Sequence, residues 1–308
     1  MSTKKDKFSS KDKNYMKLAI YLARARKGLT GDNPSVGCLI VKNDKIISIG
    51  QTGYGGRPHA EANAISNSFE NLSGAKMYVT LEPCNHYGRT SPCTKKIVKS
   101  GINEVFYSID DIDKKVKGKS FNILKKMNIR VQKGLLKNEA LNLYDSYIIN
   151  RKYNLPFVTA KTAVSKNKII YSESVKRITN QKSDKISHYL RYKNDAIMVS
   201  GKTVNIDNPR LNCRLSGFED FSPKRVILDK DLNIKLNSFI INTVKNDNTI
   251  IFHNSNKIFK IQNLKKKGVI LIKINLDKKK RIILKLVLKR LYSLGIRSLL
   301  VEGGDKIT

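Results

Sequence analysis

The sequence predicts two successive α/β domains, and three observations carry that prediction. At 308 residues the chain is too long for one small core and suits two. Its apolar content of 40% is enough to bury both, and because Trp is absent the cores must rest on Ile, Leu and Val. Short apolar runs alternate with helical patterns along the whole length, which is the order of an α/β protein.

The elements follow in order. Residues 13–27 suit an amphipathic helix, with Leu18, Leu22 and Ala25 on one face and Gly28 as its stop. The run 36-VGCLIV-41, the turn at Asn43-Asp44 and the run 46-IISIG-50 predict a hairpin. Pro58 opens a helix reaching Phe69, and 76-KMYVT-80 is a strand. Pro92 opens a further helix that Gly101 ends. Strands at 104-EVFYS-108 and 129-IRV-131 flank another helix, and a helix over 137–150 closes the first half. The stretch 151-RKYNLP-156 reads as a linker, which sets the domains at 1–150 and 157–308. In the second half, apolar runs at 157–164, 195–199, 225–229, 249–252, 269–273 and 297–301 predict strands, with helices over 181–193 and 279–294. No internal repeat is present, and the Lys- and Asn-rich region 230–282 keeps its apolar runs, so it reads as ordered.

The formal net charge is +35. Lys and Arg neutralise phosphates, so nucleic-acid binding is one reading. The excess is dispersed along the chain, however, which points to solubility and the steering of small anions rather than to a specific nucleic-acid site. The four cysteines, Cys38, Cys84, Cys93 and Cys213, are too few for a disulfide framework. The start is polar with no apolar segment of a signal peptide behind it, and no apolar run reaches the length of a membrane span. The most apolar helix pattern, 281–296, is interrupted by Lys285, Lys289 and Arg290. A soluble protein of a reducing cytoplasm is expected, with no membrane partner.

The chemistry concentrates in the first half. The segment 58-PHAEANAI-65 places His59 and Glu61 at a helix start, and 82-EPCNHYGRTSPC-93 supplies Cys84 and Cys93, each after a proline. One imidazole and two thiolates leave the fourth tetrahedral position of zinc open, as a catalytic site requires. Zinc lowers the pKa of bound water towards neutrality. A helix start favours thiolate at Cys93. Glu61 can take the proton of the attacking water and pass it to a leaving amine. This is the zinc-deaminase pattern of His-x-Glu followed by Pro-Cys-x-x-Cys, with one departure: eight residues separate the cysteines instead of two. Cys38, mid-strand, and Cys213, in a loop, read as packing thiols rather than ligands.

The string EPCNHYGRTSPC, with 33-NPSVGCLIV-41 and 57-RPHAEANAI-65, resembles the deaminase domain of the bifunctional riboflavin-biosynthesis deaminase/reductase family. The resemblance runs from about residue 13 to 308. It implies a cytidine-deaminase-like three-layer α/β/α domain, followed by a dihydrofolate-reductase-like α/β domain that uses NADPH. The substrate it implies is a small phosphorylated pyrimidine, with Asn33 on the ring and His86, Arg89 and Thr90 lining the substrate side. A homo-oligomer is expected.

No G-x-G-x-x-G follows a strand in the second half, so the residues alone indicate only a second α/β domain. The block 188-HYLRYKNDAIMVSGKTVNIDNPRLNCR-214 resembles the family's reductase core. By that resemblance Arg191, Leu211, Arg214 and Glu302 contact substrate, and Val164, Arg177, Thr203, Asp207, Gly303 and Gly304 contact NADPH. Three departures stand out. The chain reads 165-SKNKI-169 where the family has Ser-Leu-Asp-Gly, Arg177 falls where a Trp is common, and the chain stops at Thr308 just after the glycine turn. The reductase domain is therefore expected to lack its C-terminal part, as a fragment of a longer protein.

Two other classes of function stay open at this stage. A deaminase of nucleic-acid bases shares the zinc chemistry and is favoured by the charge, but no aromatic-rich basic stretch offers stacking. A zinc-stabilised binding module needs a fourth protein ligand, for which His86 is the candidate.

Overall fold

The computed structural model describes residues 7–113, 116–164, 180–244 and 248–303. The chain divides into two compact units, Met1–Lys152 and Tyr153–Thr308. Arg177, Gly304 and the segment 165–169 lie outside the described residues. Among the described residues no helix is long and apolar enough to cross a membrane.

The first unit opens with α1 (Ser10–Arg26), whose start is fixed by a capping box. The Ser9 hydroxyl accepts from Asp12 N–H, and the Asp12 carboxylate accepts from Ser9 N–H. The hairpin follows as β1 (Gly37–Lys42) and β2 (Lys45–Gln51). Its turn residues Asn43 and Asp44 both have positive φ, 50° and 60°, the mirror-image turn that matches strand twist. Then come α2 (Ala60–Ser66), β3 (Lys76–Leu81), α3 (Cys93–Lys99), β4 (Glu104–Ile109), α4 (Lys119–Lys126), β5 (Arg130–Lys133), α5 (Lys137–Leu143) and α6 (Asp145–Tyr153). The sheet order is β2-β1-β3-β4-β5; β1 is antiparallel to both neighbours, and β3, β4 and β5 are parallel.

Alternation along the strands loads both faces of the sheet. Leu39, Val41, Tyr78 and Phe106 pack with Met16, Ala19 and Ile20 of α1. Cys38, Ile40, Met77, Val79 and Val105 pack with Ala60 and Ala64 of α2, Ile97 of α3 and Leu124 of α4. Helices on both sides make three layers and explain why β1 is buried almost throughout. α1 approaches β1 so closely that a β-carbon on Gly37 would fall 1.9 Å from the Ala19 carbonyl oxygen.

The second unit contains β6 (Phe157–Lys161), α7 (Gln181–Tyr192), β7 (Ala196–Ser200), α8 (Gly201–Asp207), β8 (Lys224–Leu228), α9 (Phe239–Asn242), β9 (Thr249–His253), α10 (Ile258–Lys266), β10 (Ile270–Lys273), α11 (Leu284–Ser293) and β11 (Ser298–Glu302). Every neighbouring pair is parallel in the order β10-β9-β8-β7-β11-β6. One face packs Ile197, Val199, Ile227 and Ile251 with Val204, Ile240 and Leu264. The other packs Met198, Val226, Ile250 and Leu299 with Val287 and Leu291 of α11. From β7 the chain steps outward to β10, then returns to lay β11 between β7 and β6. In open α/β sheets ligands ordinarily bind beyond the carboxyl ends of the strands where the chain order reverses, here at β7 and β11.

The helix expected over 137–150 is two helices. Tyr144 departs from helical geometry (φ −98°, ψ 11°) and sinks into the core, where its hydroxyl meets Thr80 Oγ1 at 2.6 Å. The last helix begins at Leu284 rather than 279, because Asp277 accepts from the backbone N–H groups of Lys279 and Arg281 and holds a turn there. The stretch 151–156 is partly helical, since α6 runs to Tyr153.

Candidate active site

His59, Cys84 and Cys93 converge although their elements are far apart in sequence. α2 is seated on β2 at Gly50, where a β-carbon would stand 2.2 Å from the Ala60 carbonyl oxygen. Ser48 Oγ donates to the Ala64 carbonyl at 2.6 Å, and Asn63 Nδ2 donates to the Gln51 carbonyl at 2.8 Å. That seating fixes His59, the N-cap of α2, and Glu61 in its first turn. Cys84 follows β3, and Cys93 opens α3 behind the N-cap Pro92. The Cys93 N–H donates to Cys84 Sγ at 3.3 Å and Thr94 N–H to the Cys84 carbonyl at 3.1 Å, so the start of α3 is turned onto Cys84.

His59 Nδ1 lies 3.5 Å from Cys84 Sγ and 3.4 Å from Cys93 Sγ. A tetrahedral zinc with Zn–S of about 2.3 Å and Zn–N of about 2.05 Å requires N···S separations of about 3.6 Å. All three ligand atoms lie within 4.8 Å of one another, so the residues fit a zinc ion. The hydrogen bond with Cys93, helped by His59, holds the Cys84 thiol down at about 4, while the same bond and burial push Cys93 up. Burial pushes Glu61 up to about 7 against the pull of His59. Exposed His86 is not part of the converging group, which leaves the fourth position of a tetrahedral ion without a protein ligand among the described residues.

A cavity adjoins this centre, and Asn33, Arg57, His59, Glu61, Cys84, His86, Asp111, Tyr147 and Arg151 are on its wall. Asn33 is held by its Nδ2 donating to the Gly56 carbonyl at 3.0 Å. Arg89 and Thr90 are exposed and not on the wall, because the Gly88 N–H donates to the Thr90 carbonyl at 3.3 Å and puts Arg89 at the tip of a turn. Thr90 Oγ1 instead accepts from Arg57 Nη1 at 2.8 Å.

Arg57, Asp111, Tyr147 and Arg151 escaped the reading from sequence. Asp111 lies just past the carboxyl end of β4, the ordinary place for ligand contacts in such a sheet, and that position was the available signal. Its Oδ1 accepts from the Tyr147 hydroxyl at 3.0 Å and from Asp113 N–H at 2.9 Å. Burial raises its pKa. Buried Glu82 holds this wall in place: Oε2 accepts from Asp111 N–H at 3.1 Å and Gly118 N–H at 2.9 Å, and Oε1 from Ser120 N–H at 3.0 Å.

In the second unit, Arg191 on α7 and Glu302 at the end of β11 form a two-pronged ion pair, Nη2 to Oε2 at 2.8 Å and Nε to Oε1 at 3.1 Å. Arg191 Nη1 donates to the Asn212 carbonyl at 3.2 Å and Arg214 Nη1 to Asn212 Oδ1 at 2.8 Å, so the two arginines gather around one residue. His188 Nδ1 accepts the Arg214 N–H at 3.2 Å; burial and the two guanidiniums lower its pKa. At the end of β7, Ser200 caps α8 by accepting Thr203 N–H at 3.0 Å, while Asp207 is exposed at the far end of that helix. Leu211 (φ 58°) is a core residue packed in the cluster of Val204, so its side chain is not presented to a ligand. Val164 is exposed beyond β6, and Gly303 follows β11. Cys38 and Cys213 are buried and apart from the metal-binding group.

Two family models match the chain: the cytidine and deoxycytidylate deaminase zinc-binding region over residues 9–109, and the RibD C-terminal domain over 156–308. The riboflavin biosynthesis protein RibD of Aquifex aeolicus is 38% identical over 96% of this chain and 81% of its own length. That of Bacillus amyloliquefaciens is 35% identical over 95% and 78%. The solved structure of a diaminohydroxyphosphoribosylaminopyrimidine deaminase/5-amino-6-(5-phosphoribosylamino)uracil reductase from Thermotoga maritima superposes with a TM-score of 0.81 at 34% identity, covering 96% of this chain and 82% of that one. With both halves matched in order and the zinc-ligand geometry in place, the chain belongs to the RibD family of riboflavin biosynthesis proteins.

Proposed function

We propose that the first unit deaminates 2,5-diamino-6-(5-phosphoribosylamino)pyrimidin-4-one and that the second reduces the ribosyl chain of the product to ribityl. The observation that carries the reading is Glu61, buried beside a complete His59, Cys84 and Cys93 ligand set at the wall of a cavity. Zinc, when bound, supplies the Lewis acidity that makes water nucleophilic near neutral pH. Asn33 holds the ring and His86 lines the substrate side, with Glu61 facing the reacting carbon. Glu61 takes a proton of the attacking water and passes it to the departing amino nitrogen, and the second water proton ends on the neighbouring ring nitrogen, so ammonia leaves and a ring carbonyl remains. Glu61 suits both transfers because burial places its pKa close to neutrality.

In the second unit, the carboxyl ends of β7 and β11 are the ordinary place for a cofactor in such a sheet, and Thr203 and Gly303 lie just beyond them, towards NADPH in this reading. NADPH, when bound, supplies the hydride. Arg191 and Arg214 are placed to take the phosphate of the substrate, with Glu302 fixing the Arg191 fork. Family membership speaks against nucleic-acid bases as the substrate. We place the enzyme in the cytoplasm, as a homo-oligomer.

Glu61→Ala tests the reading. The variant should keep about one zinc per chain and lose ammonia release by about 10²-fold or more. Full activity in a zinc-loaded variant would remove the role given to Glu61.

A further inference from the structure

Arg57 sits two residues before His59, on the wall of the same cavity. Its guanidinium lies against the insert between the two cysteines: Nη1 donates to Thr90 Oγ1 at 2.8 Å, and Nη2 stands 3.6 Å from the place a β-carbon on Gly88 would occupy. The side chain is half-buried, and among the described residues it forms no ion pair. The hydrogen bond to Thr90 uses one of five guanidinium donors. A partly desolvated cation at a cavity wall with no carboxylate paired to it is a site for an anion from outside the chain. Four acids share that wall, Glu61, Glu82, Asp111 and Asp113, and among the described residues none of them forms an ion pair with Arg57.

We infer that Arg57 binds the phosphate of the pyrimidine substrate and sets the deaminase preference for a nucleotide over its nucleoside. The inference rests on the deaminase reading above. Asn33 and Glu61 on the wall are placed for the ring in that reading, while Arg57 gives the insert side a fork suited to phosphate oxygens. The hydrogen bond to Thr90 fixes the plane of that fork before substrate arrives, which lowers the ordering cost of a two-pronged contact. Arg89, at the tip of its turn and in solvent, adds long-range attraction rather than the fixed contact.

The test compares kcat/KM for ammonia release from the phosphorylated pyrimidine and from its dephosphorylated form, on the zinc-loaded full chain. Wild type should favour the phosphorylated compound. In Arg57→Gln the ratio of the two should fall by about 10- to 100-fold, the scale of a charge-assisted pair of hydrogen bonds. Arg57→Met, which keeps the apolar stem, should give the same loss, and Arg57→Lys should retain more of the preference. An unchanged ratio in the neutral variants, whether both substrates lose activity equally or neither does, would reduce Arg57 to a brace for the insert and overturn the inference. Wild-type protein that releases no ammonia from either compound would sink the deaminase reading itself, a result distinguishable from the first.

Discussion

Replacing Glu82 by Gln leaves the shape of a fully buried side chain intact while removing an acceptor. The carboxylate takes three backbone N–H groups, from Asp111 and Gly118 on one oxygen and from Ser120 on the other. A glutamine offers one oxygen. In its better orientation it keeps Asp111 and Gly118, and its amide N–H₂ then faces the Ser120 N–H. One charge-assisted bond is lost, the other two become neutral, and a buried donor is stranded, for a total of about 2–4 kcal/mol. For a unit of this size each kcal/mol moves the midpoint by about 2–4 °C, so thermal unfolding of the zinc-loaded chain should shift down by roughly 5–12 °C. Asp111 and Tyr147 lose their support at the same time, so KM for the pyrimidine should rise while zinc content holds. A midpoint within about 1 °C of wild type, where the ledger requires several degrees, together with an unchanged KM, would refute the argument that Glu82 organises this wall.

Other outcomes follow from single contacts. Ser9→Ala deletes the N-cap of α1 and should cost about 1 kcal/mol, read by chemical denaturation. Cys93→Ala removes one of three ligands, and metal analysis should show zinc content near zero after dialysis. His188 has a folded-state pKa below its unfolded value, so its stabilising contribution is full above about pH 6.5 and declines as pH falls from there towards the folded pKa. His188→Gln should flatten that part of the stability–pH profile of the second unit. Glu302→Gln breaks the two-pronged pair with Arg191 and should cost about 1–3 kcal/mol, measured by urea unfolding.

Much of the framework was legible because it is local. The hairpin follows from Asn43-Asp44 between apolar runs, and each of the six apolar runs of the second half became a strand. The metal ligands were legible because His-x-Glu and Pro-Cys each sit beside a helix start. What escaped depends on distant packing. α8 begins with glycine and carries β-branched Thr203, Val204 and Ile206, a poor local helix signal. It forms because Ser200 caps it, and because Gly201 fits where a β-carbon would strike Asp229 Cγ at 2.7 Å. α10 was hidden in Lys- and Asn-rich sequence, with only Leu264 fully buried and Phe259 in solvent. Arg57 meets Thr90, and Tyr147 meets Asp111, across gaps of 33 and 36 residues that no motif spacing marks.

The account holds that one chain removes an amino group and then reduces the sugar of the same molecule. The most direct test gives the zinc-loaded full chain the diaminopyrimidine nucleotide with NADPH and follows ammonia and NADPH separately in one reaction. The account predicts that ammonia appears first and that NADPH oxidation follows it mole for mole, with Glu61→Ala abolishing both unless the deaminated product is supplied. NADPH oxidation that proceeds without ammonia release, or a zinc-loaded chain that produces no ammonia, would contradict it.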